Sequence, residues 1–124
     1  MSNNKITTTN LGEFLVFNQP SGSNDPAVWR REDLTVPPMY RPTIMQAARP
    51  NKTGTNVNVM IKAVVPVVDT DAAGKKTSSN TVIAQATITS LQNIVGDHTG
   101  NAIDALIAAL TQQKAAIVAG RTAL

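Results

Sequence analysis

The sequence predicts an α+β fold in which β-strands fill the first three quarters of the chain and a helical region closes it. Three observations carry that prediction. Strict alternation runs from Val57 to Val68, alternation returns between Thr81 and Leu91, and from Asn101 the period changes to that of a helix.

Taken in order, Ile6-Thr7-Thr8-Thr9 and Glu13-Phe14-Leu15-Val16-Phe17 are β-prone runs separated by Asn10-Leu11-Gly12, the pattern of a hairpin within residues 1–19. Gln19 to Pro26 gathers turn formers into a surface loop. Ala27 to Glu32 reads as a strand ended by Pro37-Pro38, and Thr43 to Arg49 as the next, with Pro42 at its start. Asn51 to Asn56 is the turn into the central strand. There Val57, Val59, Ile61, Ala63, Val65 and Val67 share one side, while Asn58, Met60, Lys62, Val64 and Pro66 share the other. Asp69 to Asn80 is polar and reads as an exposed connection. Beyond it Val82, Ala84, Ala86 and Ile88 face one way, and Thr81, Ile83, Gln85, Thr87 and Thr89 the other.

The main sheet is thus expected within residues 27–92 and the helical region within 101–119. Ile103, Leu106, Ile107 and Leu110 sit at helical spacing and are continued by Ile117 and Val118. Asn101 is the expected N-cap and Gly120 the expected stop. One helix, or two with a bend near Gln112, satisfies the pattern. A single helical region cannot cover a sheet face built from valines and alanines, so a symmetric dimer is the expected remedy.

Length and composition narrow the function classes. With 124 residues and 13.1 kDa the chain makes one domain, residues 1–124, small enough to gain much from self-association. The net charge of +3 and pI near 9.6 permit a polyanionic partner without demanding one. Position adds more than the total: Arg30, Arg31, Arg41, Arg49, Lys52 and Lys62 fall between Pro26 and Val65, against Glu32 and Asp33 alone. The chain has no cysteine, hence no disulfide framework or thiolate metal site. Met1 to Lys5 lead into no export-type apolar stretch, and no run approaches the roughly 18 apolar residues of a membrane span. The expectation is a protein made and kept in the cytosol or released by lysis, with no cofactor, membrane or small-molecule substrate as partner.

The order of elements resembles one known family. Arg49-Pro50-Asn51 turns into Asn58-Val59-Met60-Ile61-Lys62-Ala63-Val64-Val65-Pro66-Val67-Val68, then follow a polar loop, Ala86-Thr87-Ile88-Thr89 and a terminal helix of Ala, Leu and Ile. This arrangement, over nearly the whole chain, is similar to the coat protein of a single-stranded RNA bacteriophage of the levivirus type. The resemblance implies an N-terminal β-hairpin, a five-stranded antiparallel sheet and C-terminal helices, joined in an intertwined dimer with a continuous sheet. It implies self-assembly of dimers into an icosahedral shell in the bacterial host cytoplasm. Genomic RNA would lie on the inner sheet face, with an RNA hairpin as a second ligand through which the protein would repress translation. Carried over by position, it puts Lys62 on the RNA side of the central strand and Arg49 at the end of the preceding one, with Arg41, Thr43, Asn58, Gln85, Thr87 and Thr89 as neighbours. Some family members stack a base on a tyrosine in the strand that here spans Thr81 to Leu91; this sequence has no aromatic there, and its tyrosine is Tyr40. Loops Asn51 to Asn56 and Asp69 to Asn80 are the candidates for contacts between dimers.

Plainer readings stand beside these. Lys62 on sequence grounds alone fits a solvated sheet lysine as well as an RNA contact. Arg30 and Arg31 beside Glu32 and Asp33 read as a self-neutralising set, and Trp29 as a packing or interface residue. Gly74-Lys75-Lys76-Thr77 lacks the upstream glycine of a phosphate loop. His98, the one histidine, lies beside Asp97 as a helix-start feature rather than a base, and no nucleophile or metal cluster is visible. Two alternatives to a coat protein are carried forward: a small cytosolic nucleic-acid-binding homodimer without a shell, and a small enzyme or ligand-binding domain.

Overall fold

A computed structural model of the chain describes residues 5–18, 26–31, 36–50, 55–91 and 97–120. Six strands follow one another: β1 (Lys5–Thr8), β2 (Gly12–Asn18), β3 (Ala27–Arg31), β4 (Thr43–Pro50), β5 (Asn56–Thr70) and β6 (Lys76–Leu91). A short 3-10 turn (Pro38–Tyr40) precedes β4, and one helix, α1 (His98–Val118), ends the described chain. The strands form a single antiparallel meander in the order β1-β2-β3-β4-β5-β6. The α+β class is therefore as expected, and the N-terminal hairpin is part of the main sheet because β2 pairs with β3.

Strand β5 organises the rest. It pairs with β4 from Thr43↔Val64 to Pro50↔Val57, and with β6 from Asn56↔Leu91 to Thr70↔Lys76. Directly opposed residues share a face. The valine side of β5 thus continues through Ile44 and Ala48 on β4 and through Val82, Ala84, Ala86 and Ile88 on β6. Past Val64, β5 has no β4 partner, and that is where Pro66 sits, on a stretch hydrogen-bonded on one side only. Pro42 is buried just before β4, and its carbonyl accepts the Arg31 N–H at 3.0 Å.

The connection expected from Asp69 to Asn80 is shorter than its polarity suggested. Strand pairing continues to Thr70 and resumes at Lys76, leaving a tip of residues 71–75. Asp71 explains why: its Oδ1 accepts the Ala73 N–H at 2.9 Å and the Lys75 N–H at 2.8 Å, and Gly74 supplies the left-handed φ of +84°. Once the tip satisfies its own backbone, threonines and serines are free to take strand pairing. The loop expected from Gln19 and the turn expected from Asn51 lie mostly outside the described residues.

Helix α1 is a single helix without a break at Gln112, and it begins earlier than expected. Asn101 is not its N-cap: the Asn101 N–H already bonds the carbonyl of Asp97, which is the cap residue. Gly100 permits this start, because a Cβ there would collide with the Asp97 carboxylate lying over the first turn. A carboxylate at that end also suits the helix dipole. The helix closes as expected, the N–H groups of Ala119 and Gly120 bonding the carbonyls of Ala115 and Ile117.

Little of the chain is buried by itself. Among the described hydrophobic residues, Phe14 at 2% exposure and Ala116 at 0% are the buried ones. Leu110 and Ile117, in the middle of the helix's apolar stripe, remain 49% and 54% exposed. The chain exposes 9158 Å². A compact monomer of this mass exposes about 6,400 Å², so the surplus is roughly 2,800 Å².

Replacing Asp71 with Ala should destabilise the protein by about 1 kcal/mol through the loss of its two accepted hydrogen bonds. Asp71→Asn, which keeps an acceptor oxygen, should cost less. Urea unfolding of the two variants checks this, and equal midpoints would remove the side chain from the turn.

Candidate nucleic-acid interface

The second face of the sheet is assembled by the same pairing. Opposite Lys62 stand Met45 on β4 and Gln85 on β6; opposite Asn58 stand Arg49 and Thr89; opposite Met60 stand Ala47 and Thr87; opposite Val64 stand Thr43 and Ile83. Seven expected residues, Lys62, Arg49, Thr43, Asn58, Gln85, Thr87 and Thr89, therefore lie on one surface. Neighbouring strands are about 4.8 Å apart, which sets the cross-strand spacing. Lys62 is half-buried between its neighbours, whereas Arg49, Asn58, Gln85, Thr87 and Thr89 are exposed.

Arg41 stands apart from that surface. It precedes β4, and its Nε donates to the Val36 carbonyl at 3.0 Å. It lines an open cleft of about 190 Å³ with Tyr40, Arg31, Leu11 and Val65 at the end of the sheet. The guanidinium is thus committed to a local turn. Arg41 shares the alternation of Thr43 in sequence, but the chain has left the strand by then.

Charge on this face is one-sided. Lys5, Arg30, Arg49, Lys62 and Lys76 belong to it by register. Its strand-borne carboxylate among the described residues, Glu13, is paired with Lys5 at 3.1 Å. The side chains of Lys62 and Arg49 take part in no ion pair or hydrogen bond among the described residues. Cations held on strands, beside amide and hydroxyl groups and without internal counterions, suit a polyanion contacted through its backbone. Residue composition alone did not single out Lys5 and Lys76, because their face depends on pairing. The self-neutralising set expected around Arg30 and Arg31 has its acids, Glu32 and Asp33, outside the described residues. Alternation sends the two arginines to opposite faces, and Arg30 lies over the ring of Phe17, 3.7 Å from its centroid. Trp29 is on the valine side, opposite Val16 and Ile44. His98 is the first residue of helix α1, at the helix start where it was expected.

No family model matches the sequence, and no curated protein matches it. Solved structures do match the fold. The virus-like particle of bacteriophage AC aligns with a TM-score of 0.75 over 88% of this chain and 96% of that one, at 25% identity. The coat protein of bacteriophage EMS014 gives 0.68 over 79% of this chain and 62% of that one, at 21% identity. The virus-like particle of Beihai levi-like virus 21 gives 0.64 over 93% and 86%, at 19% identity. A six-strand meander followed by a C-terminal helix is therefore the fold this chain shares with solved phage coat proteins and virus-like particles, which are structural proteins. In its fold this chain is similar to these levi-like coat proteins, the likeness that the arrangement of its sequence elements suggested.

Because the Lys62 side chain has no polar partner among the described residues, Lys62→Gln should leave the unfolding free energy unchanged within about 0.5 kcal/mol. A loss of several kcal/mol in denaturant unfolding would instead make the lysine part of the fold's own support.

Proposed function

We propose that this protein forms the shell of an RNA bacteriophage from dimers and packages single-stranded genomic RNA against the cationic sheet face, in the host cytoplasm. The observation that carries the proposal is the bare apolar surface of the single chain. Roughly 2,800 Å² of surplus surface is the scale that large obligate interfaces remove from their subunits. Covering Leu106, Ile107, Leu110, Ile117 and Val118 would contribute on the order of 10 kcal/mol. A partner's strands are the matching cover, since the valine side of the sheet lacks one as well: none of the extensive contacts between elements joins α1 to a strand. Exchange of helices between two copies satisfies both deficits at once, and β6, with a free edge along sixteen residues, can extend the sheet into the partner.

The RNA reading rests on Lys62 and Arg49 and their uncharged neighbours. Such contacts neutralise phosphates without reading bases, which is what packaging a whole genome requires. Repression through an RNA hairpin would need base readout in addition, and the Thr81 to Leu91 strand offers amides and hydroxyls for it rather than an aromatic ring.

Electron microscopy of purified protein with RNA should show closed regular particles. A uniformly small species under those conditions would favour the shell-free homodimer. Leu110→Asp should abolish dimers in size-exclusion chromatography, and a variant that still dimerises would overturn the helix exchange. Lys62→Ala combined with Arg49→Ala should lower packaged RNA while dimers persist, and should reduce the slope of log affinity against log salt by about 0.7 for each cation removed. Unchanged RNA content would remove both residues from the interface.

A further inference from the structure

We infer that Phe17 and Arg30 form a stacking site for one unpaired base of single-stranded RNA at the β2–β3 end of the cationic face. The inference rests on the reading of that face as the RNA side. Pairing of β2 with β3 runs through Leu15↔Arg30 and Val16↔Trp29 and then skips to Asn18↔Val28, so Phe17 is the extra residue of a β-bulge. Bulges re-aim side chains, and here the ring comes to lie against the guanidinium of Arg30, 3.7 Å from ring centroid to Cζ. Arg30 is opposite Thr43, and Thr43 is opposite Val64, which places the pair on the same side of the sheet as Lys62.

Three features give the pair the chemistry of a base platform. The ring is 60% exposed although Arg30 covers part of it. Aromatic faces stack on bases of any sequence, and a guanidinium held against the ring adds charge to the stack. Arg30 Nε is buried without a hydrogen-bond partner among the described residues, and the guanidinium lies against the ring. Glu13, the acid on this face nearest in the pairing scheme, is neutralised by Lys5. The row of Lys62, Met45 and Val28 ends at Asn18, beside Phe17, three strand spacings or about 14 Å from Lys62. One short single strand can reach both. A second copy of the chain is the poorer occupant, since its matching face carries the same positive charge.

The test is fluorescence anisotropy of the dimeric protein with a labelled single-stranded RNA and with an RNA duplex of equal length. Phe17→Leu, which keeps apolar bulk on an exposed site, should weaken single-strand binding about tenfold, leave the salt slope unchanged and spare the duplex. Phe17→Trp should restore affinity. Arg30→Ala should weaken binding and lower the salt slope by about 0.7. Wild-type affinity in Phe17→Leu, or failure of Trp to restore it, overturns the stacking site if Lys62→Ala still weakens binding. If Lys62→Ala and Phe17→Leu are both without effect, the RNA-side reading falls with it.

Discussion

The constraint on which this structure depends is the two-residue period of β5 between two long neighbours. Its pairing with β4 and β6 fixes, for each residue it touches, which of two faces that residue occupies. A slip of one residue would put Lys62 among the valines and Ile61 among the threonines. Such a slip exposes apolar surface and buries an ammonium, so one register is strongly preferred. The candidate interface is therefore a by-product of hydrophobic sorting. Once the valines are committed to one side, Lys62, Asn58, Thr87 and Gln85 have only the other to occupy.

The sorting does not finish the fold within one chain. Val, Ala and Ile give the sheet a flat and shallow apolar face, and α1 offers Leu110 and Ile117 without having them covered. In a self-contained domain the helix would lie across its own sheet with the centre of the stripe buried. Here Ala116, the buried position of α1, and the part-covered Gln113 sit to one flank, and of the stripe's centre Ile103 is part-covered while Leu110 and Ile117 are exposed. A helix settled on its flank has its principal surface available to something else. Under the proposed dimer, folding and association are one problem, because a second subunit would complete the apolar area needed to offset chain entropy.

How much of this was legible in the sequence follows from the range of the interactions involved. The faces of β5 and β6 could be read directly, since alternation within a strand needs no partner. The helix could be read from its period, and its end from Gly120, but not its start. Asp97 and Gly100 make that start together, and a search for a single capping side chain settles on Asn101 instead. The length of the β5–β6 hairpin was hidden by composition: Lys76, Thr77 and Asn80 look like loop until Asp71 is seen to close the turn in five residues. Seven of the eight expected interface residues share a surface because their strands are long and regular. Arg41 departs from it because local hydrogen bonding to Val36 outweighs an alternation that no longer has a strand to act on.

What sequence reasoning could not reach is whatever depends on the order of strands at the far edge of the sheet. Read alone, Phe17 is the last residue of a hairpin and Arg30 half of a neutralised pair. They meet because β2 lies beside β3 and because the bulge at Phe17 shifts the register by one. This part of the face differs in character from the centre: near Lys62 the surface offers isolated charge among hydroxyls and amides. Beside Arg30 it offers a plane. The ring with its guanidinium and the isolated cations thus occupy separate places on one continuous face, three strand spacings apart.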